Sequence, residues 1–464
     1  MTQSIPPSVR QEHPTAVQRY MDHVNPAFIQ LLGTFGFGRV FVRAEGMKLW
    51  DDQDREYLDF LAGFGAINLG HNPTELATAI TRALDDKHPN VMHVGPQVWA
   101  GELGAALAAR FPKLPVALFS CSGGEAVEAA MKLARAATKR PGIVYATGGF
   151  HGTGLGNLSV MGFPRWQKPF RPLLPDCHEV PFGDLEALKQ VLKKRKVAGV
   201  LLEPIQGEAG VLMPPGAYLA AAQALCRKYG ALFMLDEVQT GLGRTGRLCC
   251  YQHESDLDPD VVILGKSLGG SLIPISATLT RTEIQKTAYG SVFKFDLHGS
   301  TLSGNALGCR VALETLRLID DWGLCERAQT RGEQLQAGLE SRLSGHPLVR
   351  AVRGQGLLVG LELGPTGSNW VQRLAPRLVK LLSRQVLGQW LSVRLLERGL
   401  LTQPASQQWD VLKLTPPLTV SEQEVDTLID AIGEILDEYR DLTPLVLDVT
   451  KRLGDQKKSG WLFR

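Results

Sequence analysis

No stretch of this chain is apolar for long enough to cross a bilayer, and no two of its seven cysteines stand in a C-x-x-C pair. The first absence excludes a helical membrane span, which needs about 20 apolar residues in succession. The second removes the common thiolate zinc spacings and any regular disulfide frame. An odd set of reduced thiols in a cytoplasmic protein is the expectation. The opening residues, MTQSIPPSVRQEHPT, carry prolines and polar groups where a secretory leader would have its apolar core. Excess charge is missing too, since 50 Lys and Arg against 47 Asp and Glu leave a net +3 over 464 residues. Such a balance makes no field that would gather nucleic acid or an anionic membrane. The densest basic run, Lys193 to Lys196, closes a segment of helical apolar spacing, where cations suit the negative end of a helix. Aromatics are sparse at 7%, yet hydrophobic residues reach 44% and mean hydropathy is -0.04. This is the composition of an ordered globular chain, long enough for one large domain with a smaller one attached.

What is present is a change of pattern along the chain. Twenty loosely ordered residues are expected first. Then GRVFVRAEGMKLWDDQDREYLDF alternates in short runs broken by turn residues, which predicts a small antiparallel meander within residues 1–72. From 73 to 319, apolar runs alternate with helical stretches. The runs are VALFSC, GIVYATG, VAGVLLEP, ALFMLDE, VVILG and PISATLT; the helices include GEAVEAAMKLARAAT and PPGAYLAAAQALCRKYG. That alternation predicts an α/β domain with a mostly parallel sheet covered by helices on both faces. From 320 to 464 the order becomes helix, GQGLLVGLEL, helix, VLKLTPPL and a last helix from Ser421, which predicts a smaller α+β domain. The tail after Tyr439 has no place in that pattern.

Two nucleotide-like motifs fail on their own spacing. GLGRTG (Gly241, Gly243, Gly246) fits G-x-G-x-x-G, but the strand before it stops short and no helix follows. GKS (Gly265 to Ser267) would need a glycine five positions earlier, where Asp260 stands.

In parallel α/β sheets, ligands collect beyond the carboxyl ends of the strands. After VALFSC comes SGGEAVEAA, small residues leading into a helix whose free N–H groups suit a phosphate. After GIVYATG comes GFHG, a ring flanked by glycines. After ALFML comes Asp236, and after VVILG comes Lys266. Taken singly, such a lysine is usually a surface group, the aspartate a cap and the phenylalanine a core residue. As a set they are the parts that hold pyridoxal 5'-phosphate. The lysine is a nucleophilic amine, the carboxylate keeps the ring nitrogen protonated, and the freed lysine carries the proton between carbon and cofactor.

The motifs SGGEAVEAAMKLAR, FHG, LLEPIQGEAG, LDEVQTGLGRTG, ILGKSLGGSLIPISA and HGSTLSGNALGCRVALE occur in this order. On them the chain resembles the class III aminotransferases of the fold type I pyridoxal-phosphate superfamily, from about residue 40 to residue 440. The resemblance implies that Lys266 forms the Schiff base with the cofactor. It implies that Asp236 pairs with the ring nitrogen, Gln239 meets the ring hydroxyl and Phe150 stacks on the ring face. Gly123 and Gly124 would donate N–H groups to the phosphate, although the family often has Ser or Thr where Gly124 stands. Ser300 and Thr301 would reach the phosphate of a neighbouring subunit, which implies a homodimer with active sites at the subunit interface. Glu203 and Glu208 would lie near cofactor and substrate, and no metal is implied. Many members that use 2-oxoglutarate have Arg before the PPL segment, whereas this chain has Lys413, a point charge without the bidentate fork. GPTGSNWVQRLAPRLVKLLSRQVLGQW is longer than the usual small-domain loop and helix.

PFRPLLPDCHEVPFGDLEAL and GFGAINLGHNP are most similar to putrescine and related diamine aminotransferases. The resemblance thus implies ping-pong transfer of a terminal primary amine from a small-molecule donor to a keto-acid acceptor. Three alternatives stand beside it. One is an aminomutase, decarboxylase or racemase of the same fold. Another is a nucleotide-dependent oxidoreductase or NTPase resting on the two failed motifs. The last is a biosynthetic enzyme acting on a long-chain or carrier-bound amine or aldehyde.

Overall fold

The structure, a computed structural model, describes residues 13–34, 37–364, 376–440 and 448. The expectation of loose order over the first twenty residues is corrected within this range. A helix runs from His13 to His23 and a second from Pro26 to Thr34. Local pairing explains them: Gln18 donates to Asp22 one turn on at 2.8 Å, and Tyr20 meets Phe28 at 6.2 Å between ring centroids.

The expected meander is present as β1 (Phe41–Glu45), β2 (Lys48–Asp51) and β3 (Glu56–Asp59), all antiparallel. Next come β4 (Val116–Ser120), β5 (Gly142–Ala146), β6 (Cys177–Val180), β7 (Val197–Leu202), β8 (Leu232–Asp236), β9 (Val261–Leu264) and β10 (Ser276–Thr280). They make one sheet in the order β4-β10-β9-β8-β7-β5-β6. The strand PISATLT was expected within the parallel alternation, but β10 runs antiparallel to both β4 and β9. The link from Gly265 to Ile275 is too short for the crossover that a parallel return requires, so the chain reverses. The edge strand β6 was not anticipated; its residues, CHEV, are polar enough to read as loop.

The two faces of the sheet bury separate clusters. Along β7 and β8, Ala198, Leu201 and Met234 pack with Ala126, Val127 and Leu133 of the helix Gly123–Thr138. Val197, Val200, Leu202, Phe233 and Leu235 face Leu188, Leu192, Leu219 and Ala222, from helices Leu185–Lys194 and Tyr218–Tyr229. Both faces are therefore covered, and each fully buried Leu or Val contributes about 1.5–3 kcal/mol. The sheet can be this apolar only because water reaches neither side.

The remaining strands are β11 (Val349–Gln355), β12 (Leu358–Leu363), β13 (Leu400–Leu401), β14 (Gln403–Ala405) and β15 (Gln408–Leu414). Four of them form an antiparallel sheet in the order β11-β12-β15-β14. The last helix, Glu422–Asp437, starts at Ser421 as anticipated, with Ser421 and Glu424 capping each other reciprocally. β13 instead joins β3 in parallel, with Leu58 donating to the Gly399 carbonyl at 2.8 Å. A division of the chain at residues 72 and 319 is a proposal; β13 ties the meander to the carboxy-terminal residues in either case. A helix spans Pro376–Glu397, whereas residues 365–375 of the long insertion and nearly all of the tail lie outside the described residues. Among the described residues no helix is long and apolar enough to cross a membrane.

GLGRTG folds as turns and sends Arg244 inward. The guanidinium is fully buried, and burial lowers its pKa to about 9. It donates to the Leu357 carbonyl at 3.0 Å, to the Pro416 carbonyl and to Asn68 Oδ1 at 2.6 Å. These partners come from the small sheet, the segment after β15 and the segment after the meander, so one side chain joins all three. Arg244→Met leaves three buried acceptors without a donor and should destabilise the protein by about 3 kcal/mol. Denaturant unfolding of the variant against wild type measures this.

Candidate active site

Four strand ends converge on one cavity of about 210 Å³, lined by Gly123, Gly124, Phe150, Asp236, Gln239 and Lys266 among others. Glu203 and Glu208 line it as well. Every strand-end residue singled out from the sequence is therefore brought together. Ser300 and Thr301 are not among its lining residues. A larger groove of about 520 Å³ lies among helices Thr74–Asp85, Val98–Arg110 and Ala306–Asp321. Two of its arginines are taken by carboxylates, Arg310 by Asp86 and Arg317 by Glu314 and Asp321.

Ser122 caps the helix Gly123–Thr138 by accepting the Glu125 N–H at 3.2 Å, and Gly123 and Gly124 at the helix start line the cavity. The floor there has no room for side chains. A Cβ on Gly123 would lie 2.8 Å from Val238, and one on Gly152 would lie 3.1 Å from the Gly124 Cα. Gly152 also has φ +105, a conformation that L residues rarely adopt.

Asp236 ends β8, buried. Its Oδ1 accepts the Val238 N–H at 3.1 Å, and its Oδ2 bonds His151 Nδ1 at 2.7 Å. His151 is the residue that sequence reasoning passed over, although it stands in the quoted FHG motif. Its burial opposes a charge, but the bond and the charge of Asp236, together with the charge of Glu203, outweigh this and raise the imidazole pKa. Its Nε2 is buried without a partner. Glu203 accepts the Phe150 N–H at 2.8 Å and so fixes the ring that flanks the cavity; burial pushes its carboxyl up to about 7.

Lys266 follows β9 with φ +44, in the left-handed region. Burial lowers its ammonium to about 8, with Glu208 opposing the shift and Lys413 adding to it. Lys413 is fully buried and donates to Glu208, which also accepts from the Ser406 N–H at 3.2 Å and the Gln239 amide at 3.3 Å. Burial alone would raise the Glu208 carboxyl, yet the cations of Lys413 and Lys266 hold it well below the usual carboxylate range.

A short left-handed turn lies beside this pair. Ala62, Gly63, Phe64 and Gly65 have φ of 45, 58, 60 and 75 in succession. The two non-glycine members cost about 1–2 kcal/mol each. Hydrogen bonds from four side chains clasp the turn and its flanks. Asp59 accepts the Leu61 and Ala62 N–H groups at 3.0 and 2.8 Å. Gln239 donates to the Phe64 carbonyl and Thr415 to the Leu61 carbonyl, both at 2.8 Å, and Ser267 donates to the Ala66 carbonyl at 2.7 Å.

A glycine-floored helix start, a buried carboxylate backed by imidazole, a flanking aromatic ring and a desolvated lysine fit pyridoxal phosphate group by group. With the sheet order they define a fold type I pyridoxal-phosphate enzyme. The class III aminotransferase family matches residues 36–436, and the chain belongs to it. Aminotransferase PigE of Serratia sp. (strain ATCC 39006) is 36% identical over 91% of this chain. The chain spans about half, 53%, of that relative's length. An ornithine aminotransferase from Toxoplasma gondii, described with partial occupancy of PLP at its active site, superposes with a TM-score of 0.77. It is 29% identical, covering 87% of this chain and 92% of its own. A Bacillus anthracis aminotransferase superposes with a TM-score of 0.79 at 25% identity, covering 92% and 99%. Pyridoxal phosphate is the cofactor of this family. Gly152→Ala should weaken its binding at least about tenfold, because a methyl group pushes the cradle apart; cofactor titration of the apoprotein checks this.

Proposed function

We propose that this chain moves the terminal primary amino group of a diamine or other ω-amine, with putrescine as the model donor, to a keto acid. The observation that carries the reading is the charge lining the cavity. Glu203, Glu208 and Asp236 face Lys266 and His151, and no arginine is among the lining residues. Such a wall suits a cationic tail better than a donor's carboxylate, which Arg binds best through its fork. The ornithine aminotransferase among the similar structures supports this, because ornithine itself ends in a primary amine.

Bound pyridoxal phosphate supplies a carbonyl carbon that takes amines and a ring that acidifies the C–H bond beside the captured nitrogen. Gly123 and Gly124 would hold its phosphate, Phe150 would back its ring and Gln239 would bind the ring hydroxyl. Asp236, oriented by His151, would hold a proton on the ring nitrogen. Lys266 would anchor the cofactor covalently. Once a substrate amine displaces it, its ε-amine would move the proton from the substrate carbon. The donor would leave as an aldehyde, and a keto acid would be the acceptor.

A homodimer completes the proposal. Val292, Phe293, Phe295, Leu297 and Leu302 are exposed on the segment bearing Ser300 and Thr301, and Val94 and Val98 are exposed nearby. Asn90 joins the two segments by accepting the Ala306 N–H at 2.8 Å and the Leu307 N–H at 3.0 Å. Apolar loops of this extent are what a second copy would cover, which would bring Ser300 and Thr301 to the neighbouring phosphate.

Excess putrescine, added to the holoenzyme without keto acid, should shift the cofactor's visible band into the near ultraviolet. Lys266→Ala should abolish the shift. A visible band that ignores putrescine in wild type rejects the diamine donor and points to longer or carrier-bound amines. The capture rate of pyridoxal phosphate by the apoprotein should rise with pH and level off above about 8, because the neutral amine attacks. A plateau reached only near the ordinary lysine value of 10.5 would contradict the burial of Lys266.

A further inference from the structure

Asn157 stands behind the glycine cradle and is not among the residues that line the cavity. It belongs to the short helix Leu155–Leu158 and is buried, and its amide nitrogen donates twice. One bond goes to the Gly124 carbonyl at the start of the helix Gly123–Thr138, and the other goes to the His151 carbonyl, both at 2.9 Å. Both partners are carbonyls, which only accept, so the orientation of the amide is fixed by them. Its two N–H donors are thereby spent on backbone, and none is left for a ligand.

Three glycines make room for this amide. A Cβ on Gly154 would lie 2.7 Å from Asn157 Oδ1, one on Gly124 would lie 3.3 Å from the same atom, and one on Gly152 would lie 3.3 Å from Asn157 Cγ. The three atoms nearest to a Cβ on Gly124 all belong to Asn157. The space that a side chain at position 124 would take is therefore filled from the opposite side of the cradle. A hydroxyl at 124 would act on a ligand directly, whereas Asn157 acts only through the backbone it holds. Anions at a helix start are bound by N–H groups whose aim depends on how the first turn is set. Asn157 sets that turn against the loop carrying Phe150 and His151, and His151 in turn bonds Asp236 at 2.7 Å. One amide thus ties the glycine end of the cavity to its carboxylate end.

We propose that Asn157 is a positioning residue for the cofactor's phosphate, and that it takes the place of a side chain at Gly124 by pinning the cradle's first turn to the loop after β5. This deepens, and rests on, the assignment of the phosphate to Gly123 and Gly124.

The test titrates the full-length apoprotein with pyridoxal phosphate and with pyridoxal, which lacks the phosphate. Tryptophan fluorescence reports both, since Trp166 lies 6.0 Å from the Phe150 ring. Wild type should bind pyridoxal phosphate at least about tenfold tighter than pyridoxal, which forgoes the cradle's hydrogen bonds. Asn157→Ala should weaken pyridoxal phosphate about tenfold and pyridoxal less than about twofold. Gly124→Ser added to Asn157→Ala should recover most of that loss, because the space is then open and the hydroxyl can donate. In wild type the same Gly124→Ser should bring no gain, because Asn157 occupies its place. Asn157→Ser carries the same comparison if the alanine variant does not fold. Equal weakening of both ligands, or a Gly124→Ser effect that is the same in both backgrounds, overturns the role of Asn157 and leaves the cradle standing. Equal affinity of wild type for the two ligands overturns the cradle assignment and this proposal with it.

Discussion

An amine held out of water among carboxylates is the interaction on which the rest of this protein depends. A lysine in an apolar interior loses its proton readily, whereas one beside a single carboxylate keeps it. At Lys266 the two tendencies are set against each other. Burial lowers the ammonium to about 8, Glu208 pulls it back up, and Lys413, bonded to the same glutamate, pushes it down again. The balance requires that all these groups stay dry, and dryness requires that the sheet ends, the meander and the small sheet meet without a gap.

The closing contacts are few and polar. Arg244 joins Asn68, Leu357 and Pro416, while the left-handed turn from Ala62 to Gly65 is clasped by Asp59, Gln239, Ser267 and Thr415. Each clasp on the turn satisfies a backbone group of the turn or of its flanks. Backbone strain of about 1–2 kcal/mol per non-glycine residue persists there because its surroundings leave the turn no other conformation. The strained segment sits against the cavity rather than far from it, as strained segments at functional sites do.

Fold alone does not select a reaction, because one architecture hosts many chemistries. The family uses pyridoxal phosphate and is named for amino transfer. The substrate lies with side chains that differ within one scaffold. Here Lys413 pairs with Glu208 beside the Phe64 ring, and no arginine is among the cavity's lining residues. The PigE relative is the longer protein, and this chain spans about half of it.

Lys266, Asp236, Phe150 and the glycine cradle were legible in the sequence because each directly follows an apolar strand, and strand ends on one sheet edge must converge. The decoy loops were dismissed by the same local spacing. His151 was on the page in FHG, but nothing local says that it backs an aspartate 85 positions later. The direction of β10 was misjudged because strand composition does not reveal direction; connection length does. What only the tertiary structure decided are the contacts across the sheets. Lys413 meets Glu208 across 205 positions, Phe64 covers Lys413, and β13 completes the meander. Periodicity reports which face of an element is buried. Which element arrives on that face is settled by packing between sheets.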